Sequence, residues 1–119
     1  MSKVKSNIKE NIGIIKIDNN NKKNALDNDV ITLLVEKLRN FDKDSGIHCI
    51  LIGAEGSVFC AGGDVKAMKA KTDMFSGDSC ELQSNYEFGI QEIARVIERV
   101  STPIIGVING AAVGAGVDF

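Results

Sequence analysis

Apolar positions recur at three- and four-residue intervals in two stretches of the chain, which is the period of a helix with one buried face. Asp27 or Asp29 is placed to cap the start of the first stretch, and Pro103 requires the second to have ended before it. The pattern therefore predicts two helices, whose apolar faces are formed by Val30, Ile31, Leu34, Leu38 and Phe41, and by Leu82, Tyr86, Ile90, Ile93, Ala94, Ile97 and Val100.

Shorter runs rich in β-branched residues indicate strands. Residues 4–8 and 12–17, with Asn11 and Gly13 near the turn between them, fit a β-hairpin. The continuously apolar run 49–52 is typical of a strand covered on both faces, as in a parallel sheet. A second apolar run covers 104–108. Strands alternating with helices predict an α/β fold with right-handed crossovers.

The intervening segments are more polar. Residues 19–24 are rich in Asn and Lys and are expected to form a loop, because these residues tolerate turn conformations. A short helix is predicted around 65–70, and 72–79, which contains Gly77, is expected to be a mobile connection to the next helix.

Length and composition restrict the class of protein. With 119 residues there is room for one domain, and 44% apolar with 25% charged residues is a globular balance. A formal charge of −2, with Lys and Arg scattered among acids, argues against nucleic-acid binding. No apolar run approaches the ~20 residues of a membrane helix. No secretory signal is evident, and three cysteines without C-x-x-C spacing fit a reducing compartment, so a cytoplasmic location is expected and a metal site is not.

Two glycine-rich junctions each connect a predicted strand to a helical pattern. The first junction is residues 59–66, Phe-Cys-Ala-Gly-Gly-Asp-Val-Lys, and the second junction is residues 109–118, Asn-Gly-Ala-Ala-Val-Gly-Ala-Gly-Val-Asp. The first turn of a helix presents N–H groups without internal acceptors, and the local dipole favours negative charge there. Small side chains let a ligand approach the backbone, so two neighbouring junctions are suited to hold one anion. Taken singly, either junction is more simply explained as a tight strand-to-helix turn, and only the pairing of the two favours an anion site.

Two other glycine motifs do not fit these junctions. A dinucleotide fingerprint needs a glycine where Phe119 stands, and a P-loop needs Gly-Lys followed by Ser or Thr at its end. Neither a dinucleotide nor a P-loop nucleotide site is therefore predicted.

Three segments together resemble the N-terminal portion of the crotonase (enoyl-CoA hydratase/isomerase) family. They are Lys23-Asn24-Ala25-Leu26, the first junction and the second junction, and their order and separation match that family along essentially the whole chain. The resemblance implies an α/β fold of crotonase-like (ClpP/crotonase) ββα spiral units, with residues 1–119 forming the N-terminal portion of a single domain whose C-terminal part is missing.

The resemblance also implies where the site lies. The backbone N–H groups of Ala61 and Ala115 match the two donors that hold a thioester oxygen and stabilise its enolate. Asp118 falls where many hydratases of the family have a glutamate. A carboxylate there can act as general acid or base, while the alternative is an acid that complements a helix start. The residues that match the substrate- and coenzyme A-binding region are Lys23, Ala25, Leu26, Ala61, Gly62, Gly63, Asp64, Val65, Gly114 and Ala115.

Two reactive residue types near these segments are interpreted structurally. Cys60 is expected to be a packed, inert thiol, since free cysteines are commonly buried. His48 is expected on an apolar strand with its ring satisfied, which makes a Cys–His nucleophile improbable.

The function implied by the resemblance is enoyl-CoA hydration of the fatty acid β-oxidation type. Dienoyl-CoA or enoyl-CoA isomerisation and acyl-CoA hydrolysis remain open. So does a different class, a truncated and catalytically silent fragment. Coenzyme A would be part of the substrate, with no separate cofactor, and the full-length family implies a homo-oligomer, a trimer or hexamer.

Overall fold

The computed structural model describes residues 2–118, without the side chains of residues 73, 86 and 118. Its strands are β1 (Val4–Lys9), β2 (Ile12–Ile17), β3 (Cys49–Ala54), β4 (Val58–Cys60), β5 (Ile104–Gly106) and β6 (Ala111–Ala112). Its helices are α1 (Asn28–Lys43), α2 (Val65–Ala70), α3 (Ser79–Phe88), α4 (Ile90–Arg99) and α5 (Ala115–Asp118). Single 3₁₀ turns cover Asn20–Lys22 and Asp73–Phe75.

The main sheet has the order β1-β2-β3-β5. β1 and β2 form the predicted antiparallel hairpin, while β2 pairs with β3 and β3 with β5 in parallel, so the α/β prediction with a parallel sheet is confirmed. β4 and β6 pair in parallel as a separate two-stranded sheet. These two strands were not predicted, because three and two residues are too few to show a period.

Helix α1 packs its apolar stripe onto the sheet, as its spacing predicts. Its buried residues are Val30, Ile31, Leu34, Val35, Leu38 and Phe41. Asp27 caps the helix, because its carboxylate accepts the Val30 N–H at 2.9 Å. α4 lies against α1 and contributes the buried side chains of Ile93 and Val96 to the same core.

The predicted long helix 82–100 is wrong, since two helices, α3 and α4, meet at Gly89. The backbone of Gly89 is far from helical, with φ −109° and ψ −103°. A Cβ at Gly89 would lie 2.4 Å from the Asn85 carbonyl oxygen and 2.7 Å from the Met74 methyl group. The chain therefore bends where Met74 packs closely against it.

Segment 72–79 was predicted to be a mobile connection, but it packs against the core. Met74 and Phe75 are 4% and 6% exposed and belong to the hydrophobic cluster. The Asn85 side-chain amide donates to the Met74 carbonyl at 2.8 Å. The polar composition of the segment concealed these two apolar anchors.

The two apolar strand runs also differ from expectation. β3 buries Ile50 and Ile52 fully, but the alternate residues Cys49 and Leu51 are only partly buried. β5 ends at Gly106, and Val107 and Ile108 beyond it are about half exposed. β5 lies at the edge of the sheet, with no further strand beside it among residues 2–118. Within the same residues, no helix has both the length and the apolar character to cross a bilayer.

Candidate active site

The two glycine-rich junctions lie side by side, as the sequence predicts. β4 leads into the first junction and β6 runs within the second, and their pairing places Cys60 opposite Ala112. The Val113 N–H donates to the Cys60 carbonyl oxygen at 3.0 Å, which continues the contact beyond the strands. Both junctions therefore start from one short parallel ladder.

Contact between the junctions depends on glycine at two positions. Gly62 has φ +85°, and a Cβ there would lie 2.7 Å from the Val113 carbonyl oxygen and 3.3 Å from the Ala115 nitrogen. A Cβ at Gly116 would lie 2.4 Å from the Cys60 carbonyl oxygen. At both positions the backbone of the other junction is too close for any side chain. Glycine is therefore required for packing as well as for access of a ligand to the backbone.

Ala61 does not offer a free N–H in this structure, contrary to the expectation for that residue. Its N–H donates to the Lys23 carbonyl oxygen at 3.1 Å. Ala61 directly follows β4, so its backbone still pairs with a neighbouring segment as a strand residue would. The Leu26 N–H then donates to the Gly62 carbonyl oxygen at 2.7 Å, and the chain turns at Gly62.

The N–H groups of Gly63 and Ala115 remain available. Neither donates to an acceptor among the atoms that the structure describes. Ala115 is the first residue of α5, where an N–H has no partner inside the helix. Gly63 directly precedes the cap of α2 and is partly buried. The capping signal at Asp64 could have directed attention to Gly63, because it marks where the turn ends and the helix begins.

Asp64 holds the first junction in place. Its carboxylate accepts the Ala67 N–H at 3.2 Å as the cap of α2 and lies 3.3 Å from the Lys22 ammonium group. The Ala67 N–H, followed by Lys22, keeps the pKa of Asp64 below its ordinary value despite partial desolvation. Asp64 is therefore an ionised group with a structural role. The next residue, Val65, is 71% exposed.

The segment 23–26 is split between surface and core. Lys23 is exposed and has the left-handed φ of +52°. Ala25 and Leu26 are buried, and the Leu26 N–H is already bonded to Gly62. For contact with a ligand this leaves the exposed Lys23 side chain.

The remaining candidates are distributed as follows. Cys60 is fully buried, and burial raises the pKa of its thiol against the opposing effect of the Gly62 N–H, as expected for an inert residue. His48 is exposed and precedes β3, so it is not the strand residue that was predicted. Gly114 has φ +56° and open space around it. Asp118 ends α5, but its side chain lies outside the described residues.

Among the side chains that the structure describes, no group of three or more from His, Cys, Asp and Glu is arranged to hold a metal ion. The two junctions can bind an oxygen through their backbone N–H groups. Such a group stabilises negative charge that develops on a carbonyl oxygen.

Comparison with known proteins identifies similar chains. The family model described as enoyl-CoA hydratase/isomerase matches residues 7–119. A probable enoyl-CoA hydratase of Mycobacterium leprae is 32% identical over 113 residues, which are 92% of this chain and 41% of that protein. The human mitochondrial Delta(3,5)-Delta(2,4)-dienoyl-CoA isomerase is 30% identical over 109 residues, 88% of this chain and 33% of the isomerase.

Solved structures agree with this fold. An enoyl-CoA hydratase from Polaromonas sp. JS666 superposes with a TM-score of 0.83 at 28% identity, covering 95% of this chain and 42% of that one. An enoyl-CoA hydratase from Shewanella pealeana gives a TM-score of 0.85 at 20% identity, covering 97% and 42%. The chain thus spans less than half the length of these relatives.

Proposed function

The chain belongs to the enoyl-CoA hydratase/isomerase family and has the fold of part of a crotonase domain, and from this we propose that it acts on acyl-coenzyme A thioesters through an enolate. Enoyl-CoA hydration is the reaction we favour. It is supported by the family match and by hydratases among the relatives of similar sequence. Coenzyme A enters as part of the substrate, and no separate cofactor is needed for this chemistry.

The observation that carries the proposal is the pair of junctions with unbonded N–H groups at Gly63 and Ala115. We assign these two groups, rather than the bonded N–H of Ala61, to the thioester oxygen. Negative charge on that oxygen grows as the enolate forms, and fixed N–H donors stabilise it without reorganising. Removal of one such donor from an enzyme typically costs about 10²–10³ in rate.

The proton has to be carried by another group, and Asp118 is the proposed carrier. It follows Ala115 by three residues, in the helix that begins at the proposed donor. A carboxylate performs this role when its surroundings bring its pKa toward the working pH. Asp is one methylene shorter than the glutamate of many hydratases, so isomerisation is the second candidate, and the human dienoyl-CoA isomerase relative favours it.

Segment 23–26 is the proposed contact for the coenzyme A moiety, together with residues 62–65. The Lys23 side chain is exposed, so its ammonium group can meet a phosphate of the ligand. Val65 offers an exposed apolar surface beside the first junction. Homo-oligomerisation, typical of crotonase family members, is likewise a proposal for this chain.

Binding without turnover is the candidate of a different class. It is favoured by the extent of the match, since the chain spans 33–42% of the relatives described above. In that case the two N–H groups would bind a thioester, but the proton transfers would not be complete.

One experiment separates these candidates. Crotonyl-CoA hydration, enoyl-CoA isomerisation and acyl-CoA hydrolysis are assayed side by side, with thioester binding measured by calorimetry. The N–H of Ala115 is then replaced by an ester oxygen through incorporation of lactic acid, and the same replacement at the exposed Ala94 of α4 serves as control. We expect the change at Ala115 to lower turnover about 10²-fold or more and the control to retain it.

The outcomes are distinct. Binding without any of the three reactions would support the silent candidate. Neither binding nor turnover by the wild-type chain, or equal activity of the Ala115 ester and the wild type, would contradict the proposed function.

A further inference from the structure

Asn24 is a buried polar residue in the loop between β2 and α1, and its conformation is fixed on both sides. Its side chain is fully buried, and its backbone has a left-handed φ of +58°. The Asn24 N–H donates to the Asn19 carbonyl at 2.9 Å, and the Asn24 Oδ1 accepts the Asn19 N–H at 2.8 Å. Asn19 is itself 3% exposed and donates its amide to the Ala25 carbonyl at 3.0 Å.

The Asn24 side-chain amide reaches across to the turn between β3 and β4. Its Nδ2 donates to the Glu55 carbonyl at 2.9 Å and to the Val58 carbonyl at 2.7 Å. These carbonyls stand at the two ends of the turn, so a single side chain holds both. The two N–H bonds of the amide and its oxygen are then all engaged, as a buried asparagine requires.

The backbone on either side of Asn24 holds the first junction. The Lys23 carbonyl accepts the Ala61 N–H at 3.1 Å, and the Leu26 N–H donates to the Gly62 carbonyl at 2.7 Å. Gly63 follows at once. Asn24 therefore lies at the centre of a set of hydrogen bonds. These bonds hold the start of β4 and the residues of the first junction that follow β4.

The second junction is attached to the same turn. The Asn109 Nδ2 donates to the Gly56 carbonyl at 2.5 Å. A Cβ at Gly110 would meet the Ser57 carbonyl, so the backbone of the second junction also lies directly on the turn. Carbonyls from Glu55 to Val58 thus link the loop of Asn24 to both junctions.

We propose that Asn24 is the positioning residue that sets the direction of the Gly63 N–H relative to the Ala115 N–H. That the two N–H groups serve catalysis rests on the proposed function. That Asn24 positions them rests on the hydrogen bonds alone. Loss of the Asn24 amide would leave two carbonyls without their donor and release the turn. Because an unpaired buried carbonyl is costly, the turn would move toward other donors and carry the first junction with it.

Two variants isolate the amide. Asn24→Asp keeps the shape and the Oδ1 acceptor but removes both donors, and it places a second oxygen beside the Glu55 and Val58 carbonyls. Asn11→Asp is the matched control, because Asn11 also donates its amide to a backbone carbonyl, that of Gly46, at 2.9 Å. Asn11 precedes β2, at the opposite end of the parallel strands from both junctions.

The readout is hydrogen exchange and amide ¹⁵N–¹H chemical shift by NMR, corrected for the global stability of each variant. In Asn24→Asp we expect the protection of the Ala61 and Leu26 N–H groups to fall about tenfold or more, with displaced Gly63 and Ala115 amide signals. In Asn11→Asp all four should keep their wild-type values. Unchanged protection in Asn24→Asp, or equal changes in both variants, would overturn the inference.

If Asn24→Asp does not fold, Asn24→Gly takes its place, because glycine accepts the positive φ without the amide. The wild-type chain provides an independent check, since the Asn24 side-chain NH₂ should exchange far more slowly than that of Asn11. Exchange of the two amides at similar rates would overturn the inference. None of these readouts requires a thioester, so failure of the proposed function would be recognised separately by absent substrate binding.

Discussion

The Leu26 N–H lies 2.7 Å from the Gly62 carbonyl oxygen, which joins the loop before α1 to the first junction. The two segments are distant in sequence, yet the bond fixes the plane of the peptide that links Gly62 to Gly63. The orientation of the Gly63 N–H is therefore set from outside its own loop.

Substitution of Gly62 tests the contact between the junctions. Gly62→Ala combines a positive φ with a Cβ 2.7 Å from the Val113 carbonyl oxygen, whereas Gly114→Ala has a positive φ and nothing within 4 Å. We expect Gly114→Ala to cost about 1 kcal/mol of unfolding free energy. Gly62→Ala should cost about 1–3 kcal/mol more, from the clash. Urea unfolding measures both, and equal losses would show that the junctions do not touch at Gly62.

Gly116 provides a second test at the same place without backbone strain. In Gly116→Ala the new Cβ would lie 2.4 Å from the Cys60 carbonyl oxygen, so the second junction must move away from β4. We expect a loss of about 1–3 kcal/mol in the free energy of unfolding. Gly46→Ala is the control, since its Cβ would be 3.2 Å from the movable Asp44 carboxylate, and a change within about 0.5 kcal/mol is expected. A neutral Gly116→Ala would contradict the packing described.

The core under α1 should respond to a large-to-small change. Leu34 is fully buried, whereas its neighbour Leu33 is only partly buried. Leu34→Ala is expected to cost about 2–5 kcal/mol, from lost transfer free energy and the cavity left behind, and Leu33→Ala clearly less. Thermal or urea unfolding of the pair decides this. If Leu33→Ala proved the more costly, the assignment of the buried face of α1 would be wrong.

Stability should fall in acid, in part through Asp42. The Thr102 N–H and hydroxyl, with the Ser101 N–H, donate to its carboxylate at 2.9–3.1 Å and hold the pKa of Asp42 below its ordinary value of 3.8. A carboxyl whose pKa is lower in the folded chain stabilises the fold above the unfolded-state pKa. That contribution is lost as pH falls through 3.8 toward the folded pKa.

Asp42→Asn should therefore have a smaller decline in unfolding free energy between about pH 6 and about pH 3 than the wild type has. Urea unfolding at several pH values measures the slope. Identical slopes for the two proteins would show that these hydrogen bonds do not favour the ionised carboxylate.

Part of this structure could be predicted from sequence because local patterns determine it. The spacing from Val30 to Phe41 identified the buried face of α1, and the small residues at Gly62 and Gly116 identified two junctions that meet. Helical spacing also continued across Gly89, where the backbone leaves the helical conformation and the Met74 methyl group packs closely. Periodicity carries no information on a contact of that kind.

The sequence could not identify which N–H group of the first junction is free to bind a ligand. A resemblance in sequence selected Ala61, but whether an N–H is free depends on what lies opposite it. Here the Lys23 carbonyl, brought there by the loop of Asn24, accepts the Ala61 N–H. The N–H of Gly63 has no such partner in the described part of the chain. Partners distant in sequence decided this assignment, and composition could not reveal them.

The N–H groups of Gly63 and Ala115 are proposed to bind one thioester oxygen together. Isotope-edited infrared spectroscopy of crotonyl-CoA labelled with ¹³C at the carbonyl measures this directly, because hydrogen bonds to the oxygen weaken the C=O bond. With the wild-type chain we predict a bound carbonyl band at lower frequency than that of free crotonyl-CoA, and a smaller shift when the N–H of Ala115 is replaced by an ester oxygen. A bound carbonyl band at the free frequency, or the same shift with and without the Ala115 N–H, would contradict the account.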